Sequence, residues 1–115
     1  MTSALRIEQR DASAVAVIEL HGDVTGDGED PIAEVFSSVT SDGPATVLID
    51  LADAHYINTS GISVLIRLAM EAKKDGHRLL VSGTSPHYKK VFDLVRFSSF
   101  VSMYDTEQEA LASLE

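Results

Sequence analysis

The stretch Tyr56-Ile57-Asn58-Thr59-Ser60-Gly61-Ile62-Ser63-Val64-Leu65-Ile66 decides how this 115-residue chain is read. Just before it, Thr46-Val47-Leu48-Ile49-Asp50-Leu51 is apolar at consecutive positions and partly β-branched, the pattern of a strand covered on both faces. After it, Ile62, Leu65, Ile66, Leu68, Ala69 and Ala72 fall on one helical stripe and Ser63, Arg67, Met70, Glu71 and Lys74 on the other. This predicts a helix running to about Lys74, with Lys73 and Lys74 matching the negative end of its dipole and Gly76 as a left-handed stop. Strand, short polar turn and helix together place the hydroxyls of Thr59 and Ser60 at a helix start.

Working outward, Leu5–Gln9 alternates apolar and polar and Val15–Leu20 is apolar, which predicts a hairpin turning at Asp11-Ala12-Ser13. His21–Gly28 reads as a loop with three glycines. Asp30 as cap and Pro31 at the first helical position open a helix with Ile32, Val35, Phe36 and Val39 on its apolar face, stopped by Ser41-Asp42-Gly43-Pro44. Beyond the central helix, Arg78–Gly83 is a strand and Ser85-Pro86 opens a short helix carrying Val91, Phe92 and Val95. Phe100–Tyr104 is the last strand. Thr106-Glu107-Gln108-Glu109 is a capping box that starts a final helix with Ala110, Leu111 and Leu114 as its apolar face. The order ββαβαβαβα predicts a single α/β domain over residues 1–115, with about four helices and a mixed, mostly parallel sheet edged by the N-terminal hairpin.

Composition narrows the function classes. Eighteen acidic against nine basic residues give a formal charge of −9, and no basic cluster could neutralise a run of phosphates, so nucleic-acid binding is not expected. The absence of cysteine excludes disulfides, thiolate metal sites and cysteine catalysis. No apolar run approaches the about 20 residues of a membrane span, and Met1–Arg6 has no apolar leader core, so neither membrane insertion nor a signal peptide is expected. The expected location is the cytoplasm.

The polar turn has two readings that residue types alone leave open. Asn58, Thr59 and Ser60 suit helix capping. A hydroxyl at a helix start, beyond the carboxyl end of a central strand, is also well placed to carry an anion. Hydrolase chemistry at Ser60 is not expected: no Gly-x-Ser-x-Gly elbow or oxyanion hole accompanies it. The Gly22–Gly28 segment matches neither the dinucleotide nor the P-loop pattern, nor a calcium loop, and the four histidines lack metal-ligand spacing. No cofactor and no metal are expected. Arg67 and Glu71 read as a solvated i,i+4 pair, and Met70 as an apolar residue on the polar face, at a core edge or on a partner surface.

These elements together resemble the STAS domain of bacterial anti-sigma factor antagonists. The resemblance spans nearly the whole chain. It rests on Val47–Leu51, on Ile57-Asn58-Thr59-Ser60-Gly61-Ile62, on Leu65-Ile66, on Gly76 with Leu79-Leu80-Val81, on Val91-Phe92-Asp93-Leu94 and on Glu109-Ala110-Leu111. It implies a non-enzymatic binding protein and phosphoprotein in transcription regulation, monomeric or weakly dimeric. Its partners would be an anti-sigma factor kinase of the GHKL type, which phosphorylates it and so ends binding, and a PP2C-type phosphatase, which restores it. The family motif Asp-Ser/Thr-Ser/Thr-Gly assigns the phosphoacceptor to Thr59, with Ser60 as second choice. The implied partner surface is Thr25, Asn58, Thr59, Ser60, Gly61, Ile62, Ser63, Arg67 and Met70. The chain departs from the pattern twice: Asn58 stands in place of the family's Asp, and Thr25 stands where an Asp often follows the glycine of the second strand. The resemblance also allows a non-phosphorylated binding module in another complex, such as a stress-signalling scaffold or an ABC-transporter ATPase assembly.

Overall fold

Two interleaved sets of apolar residues run through the central strands, and each set faces a different helical layer. The computed structural model describes residues 3–12, 14–43 and 45–114. In chain order the elements are β1 (Arg6–Ala12), β2 (Val15–Val24), α1 (Glu29–Val39), β3 (Thr46–Asp50), β4 (Ala54–Ile57), α2 (Thr59–Lys74), β5 (Arg78–Ser82), α3 (Pro86–Leu94), β6 (Ser102–Tyr104) and α4 (Glu107–Ala112). On one face Ile18, Leu20, Val47, Ile49, Leu79 and Val81 pack with Ile32 and Phe36 of α1, Val64, Leu65, Leu68, Ala69 and Ala72 of α2, and Phe92 of α3. On the other, Val15, Val17, Leu48 and Leu80 are covered by Ala110 of α4. The period of two along each strand is what separates the two sets. Each large side chain buried this way contributes about 1.5–3 kcal/mol.

The sheet runs β1-β2-β3-β5-β6, with β4 pairing to β2 off this path. Among the described residues only β1 is antiparallel to its neighbour; the β2–β3, β2–β4, β3–β5 and β5–β6 pairs are parallel. The fold class is therefore the one expected: α/β, mixed and mostly parallel, with a hairpin edge and four helices among the described residues.

Several local expectations are corrected. His21–Gly28 is not a loop throughout: β2 continues to Val24, and Gly26–Gly28 forms a 3-10 turn. That extension pairs with β4, a strand absent from the sequence reading. Asp30 does not cap α1; the helix starts at Glu29 after Gly28, which makes Pro31 its third residue, still in the first turn where a missing N–H costs no intrahelical hydrogen bond. In the hairpin, Asp11 and Ala12 stay in the ladder, with Ala12 opposite Val15, and Ala14 takes φ of 66°. Ser13 lies outside the described residues, as do Met1, Thr2, Pro44 and Glu115. Val95 belongs to the end of α3 and is exposed rather than part of its apolar face. The last strand is only Ser102–Tyr104, because Phe97–Ser99 turns as a 3-10 segment that buries Phe97 against Phe92. Arg67 pairs with Glu29 of α1 instead of Glu71. By contrast, Gly76 does stop α2 with φ of 79°, and Ser85 and Thr106 cap α3 and α4 as their patterns require.

Candidate functional site

The start of α2 is seated against the end of β2. Asn58 is extended (φ −85°, ψ 177°) and caps the helix: its Oδ1 accepts from the Gly61 N–H at 2.7 Å and its carbonyl from Ile62 N–H at 2.9 Å. Its own N–H donates to the Val24 carbonyl at 3.2 Å. Gly61 makes this closeness possible, since a Cβ there would lie 2.1 Å from the Val24 oxygen. The capping expectation for the turn therefore holds, with Asn58 as the capping side chain.

Capping by Asn58 leaves Thr59 and Ser60 exposed on the first turn. First-turn N–H groups have no intrahelical acceptor, and α2 carries no acidic residue there. The positive end of a 16-residue helix thus meets no carboxylate in its own first turn, with two hydroxyls beside it. The 3-10 turn closes one flank. Thr25 caps that turn, its Oγ1 accepting from Asp27 N–H at 3.3 Å, and a Cβ on Gly26 would sit 3.2 Å from Ser60 Cβ. Thr25 and the Asn58–Ser60 turn are therefore brought together although Thr25 and Asn58 are 33 positions apart.

Helical geometry extends the surface. Met70 lies about 16 Å along the axis from Thr59 and about 20° around it, so both face the same way. Met70 is 51% exposed. Ser63, Ile62 and Ile66 are half-buried between them, and Arg67 is exposed at the side, held by its ion pair to Glu29. Gly61 alone among the expected contact residues is buried, beneath this face, so it seats the helix rather than meeting a partner. One exposed aromatic was not singled out from sequence: Tyr56, 50% exposed on β4, two residues before the cap. It follows His55, also exposed, and precedes the buried Ile57, and no local pattern in the sequence marked it.

Ionisable groups gather elsewhere. Spacing along the chain gave no cluster, yet the fold brings Glu8, Glu19 and His21 together, and Glu19, Asp50 and Glu107, with polar atoms within 4.8 Å of one another. Arg10 answers the second group, bonding Glu107 and Glu19, the latter at 2.6 Å. The Arg10 hydrogen bond is the main reason Glu19 titrates below the usual carboxylate range. No helix among the described residues is long and apolar enough to cross a membrane.

Comparison with known proteins places this architecture. The sequence model of the STAS domain matches residues 6–110. BtrV of Bordetella bronchiseptica, a proposed anti-sigma factor antagonist, is 21% identical over 111 residues, covering 96% of this chain and 94% of its own. An anti-sigma factor antagonist from Mycobacterium paratuberculosis superposes with a TM-score of 0.79 at 17% identity, over 98% of this chain and 97% of the other. The anti-sigma factor antagonist SpoIIAA in its unphosphorylated form gives 0.71 at 22% identity over 96% and 97%, and the phosphorylated form of Bacillus SpoIIAA gives 0.70 at 20% over 97% and 100%. A sulfate transporter family protein from Wolinella succinogenes gives 0.76 at 20% identity over 90% and 87%. At such identities the structures speak for the fold, while the sequence model spans nearly all of the chain: it belongs to the STAS domain family.

Proposed function

We propose that this chain is an anti-sigma factor antagonist-like regulator that works by binding, with Thr59 as its phosphoacceptor. The observation that carries the reading is the exposed Thr59 hydroxyl at the start of α2, whose first turn holds no carboxylate. A phosphate there would add about −1.5 to −2 charges at neutral pH where the helix dipole and free N–H groups favour an anion. The same charge on the partner surface would oppose docking without unfolding the domain. The similarity to SpoIIAA, solved with and without phosphate, supports the reading. Asn58 keeps the capping acceptor but adds no carboxylate beside Thr59.

In this reading the surface is Thr25, Asn58, Thr59, Ser60, Ile62, Ser63, Arg67 and Met70, with Tyr56 added at its edge. The partner is an anti-sigma factor kinase of the GHKL type, a PP2C-type phosphatase reverses the modification, and the setting is the cytoplasm. The test is incubation with the cognate kinase and ATP, read by intact mass. Wild type gains one phosphate, Ser60→Ala gains it as well, and Thr59→Ala does not. Phosphate on Thr59→Ala at the wild-type rate rejects the site. No phosphate on wild type rejects the switch.

The likeness to a sulfate transporter family protein supports a second reading, a non-phosphorylated binding module of a transport complex. It predicts recovery of an ABC ATPase rather than a small kinase when the chain is used as bait in its host, with Thr59→Ala binding as wild type does.

A further inference from the structure

His21 lies apart from this surface, and three carboxylates meet its ring. Nδ1 is 2.8 Å from Asp53 Oδ2, while Nε2 is 3.0 Å from Glu19 Oε1 and 3.3 Å from Glu8 Oε2. The three come from different segments: Glu8 from β1, Glu19 from β2, and Asp53 from the turn before β4. The His21 side chain is only 16% exposed, while Asp53 and Glu8 reach it from the solvent side, 60% and 51% exposed. Two arginines complete the surroundings: Arg6, opposite His21 in the ladder, pairs with Glu8, and Arg10 pairs with Glu19.

A neutral imidazole has one N–H and one lone pair, and an ionised carboxylate only accepts. Whichever nitrogen of a neutral His21 lacks the proton therefore aims its lone pair at a carboxylate oxygen. Only the imidazolium donates on both sides. We propose that His21 is a proton-operated tie that clamps the start of β4 onto the end of β2 while charged and loosens it when neutral. The clamp acts where the sheet is least regular. Gly22 N–H donates to the Asp53 carbonyl at 2.9 Å, Gly22 pairs with Ala54, and the β2–β4 register shifts between Gly22 and Asp23. β4 then runs directly into Asn58, so the tie holds the strand from which α2 departs.

The Asp53 hydrogen bond, above all, holds the His21 pKa above the ordinary histidine value. Burial opposes it, Glu19 adds to it, Arg6 opposes and Glu8 adds. The folded value thus lies above the unfolded value of about 6.5. The tie's contribution to stability is fully present below that value and is lost as pH rises through the raised one.

The test needs no partner and stands apart from the phosphorylation reading. In an NMR titration of the wild type, His21 is expected to titrate above the ordinary histidine value of about 6.5, with the amides of Gly22 and Ala54–Ile57 following the same midpoint. Asp53→Asn is expected to lower that midpoint. It is also expected to flatten the loss of stability above pH 6.5, which a single proton limits to about tenfold in the unfolding constant per pH unit. A His21 midpoint at or below about 6.5, or one unmoved in Asp53→Asn, overturns the proposal. So do β4 amides that ignore the His21 midpoint.

Discussion

β2 and β4 are parallel neighbours, so the helices that follow them begin at the same end of the sheet, yet the two beginnings are built in opposite ways. α1 follows Gly28 with no side-chain cap and carries Glu29 and Asp30 in its first turn. Those carboxylates already answer the positive end of its dipole. α2 has the Asn58 cap, no acidic residue in its first turn and two exposed hydroxyls. A position at the end of the sheet is therefore not what distinguishes a candidate site, because both helices have it. What distinguishes α2 is a positive end that no carboxylate of its first turn answers.

The steepest way to break this contrast is steric. Gly61→Ala forces a Cβ onto the Val24 backbone oxygen, which cannot move without β2, and is expected to cost about 3 kcal/mol. Gly28→Ala, at the start of α1, meets only side-chain tips, those of Leu5 and Ile32, and is expected to cost about 1 kcal/mol. Urea unfolding of the two variants measures the gap, and equal losses would mean that α2 is not seated as tightly as described.

Removing the cap comes next. Asn58→Ala is expected to lose about 1–2 kcal/mol in the same assay. Asn58→Asp keeps an acceptor for the Gly61 N–H and adds the missing carboxylate, so about 0.5 kcal/mol of added stability is expected at neutral pH. If Asn58→Asp destabilises instead, the start of α2 is not short of negative charge. The smallest effect belongs to the tie between the two helices. Arg67→Ala removes the pair to Glu29, whose side chains are both about half exposed, and should cost no more than about 0.5 kcal/mol, less in high salt.

Elements with local signals were legible in the sequence. The reach of α2 from its polar turn to Gly76, the Ser85-Pro86 start of α3 and the Thr106 start of α4 all depend on residues within a few positions of one another, and all appear where expected. β4 was not legible. Its partner is Gly22–Val24, in a stretch whose glycines read as a loop, and neither segment is convincing until the other lies beside it. The start of α1 was misplaced for a related reason: Asp30-Pro31 is a good local opening, but the 3-10 turn packed against Ser60 hands the chain to the helix earlier. At the candidate site, Thr59 and Ser60 could be picked out as first-turn hydroxyls, and Arg67 and Met70 as the polar face. Tyr56 could not be singled out while β4 was unrecognised.

The sequence by itself determined the α/β class, the four helices and the hydroxyl pair at the start of α2, because periodicity, capping and turn chemistry act over a few residues. Only the tertiary structure decided that Thr25 flanks that turn, that Gly61 must be small, that Arg67 answers Glu29 and that His21 is held by three carboxylates. Those relations join segments far apart in the chain. They exist because β2 runs four residues past Leu20 and pairs with a strand that no local pattern announced.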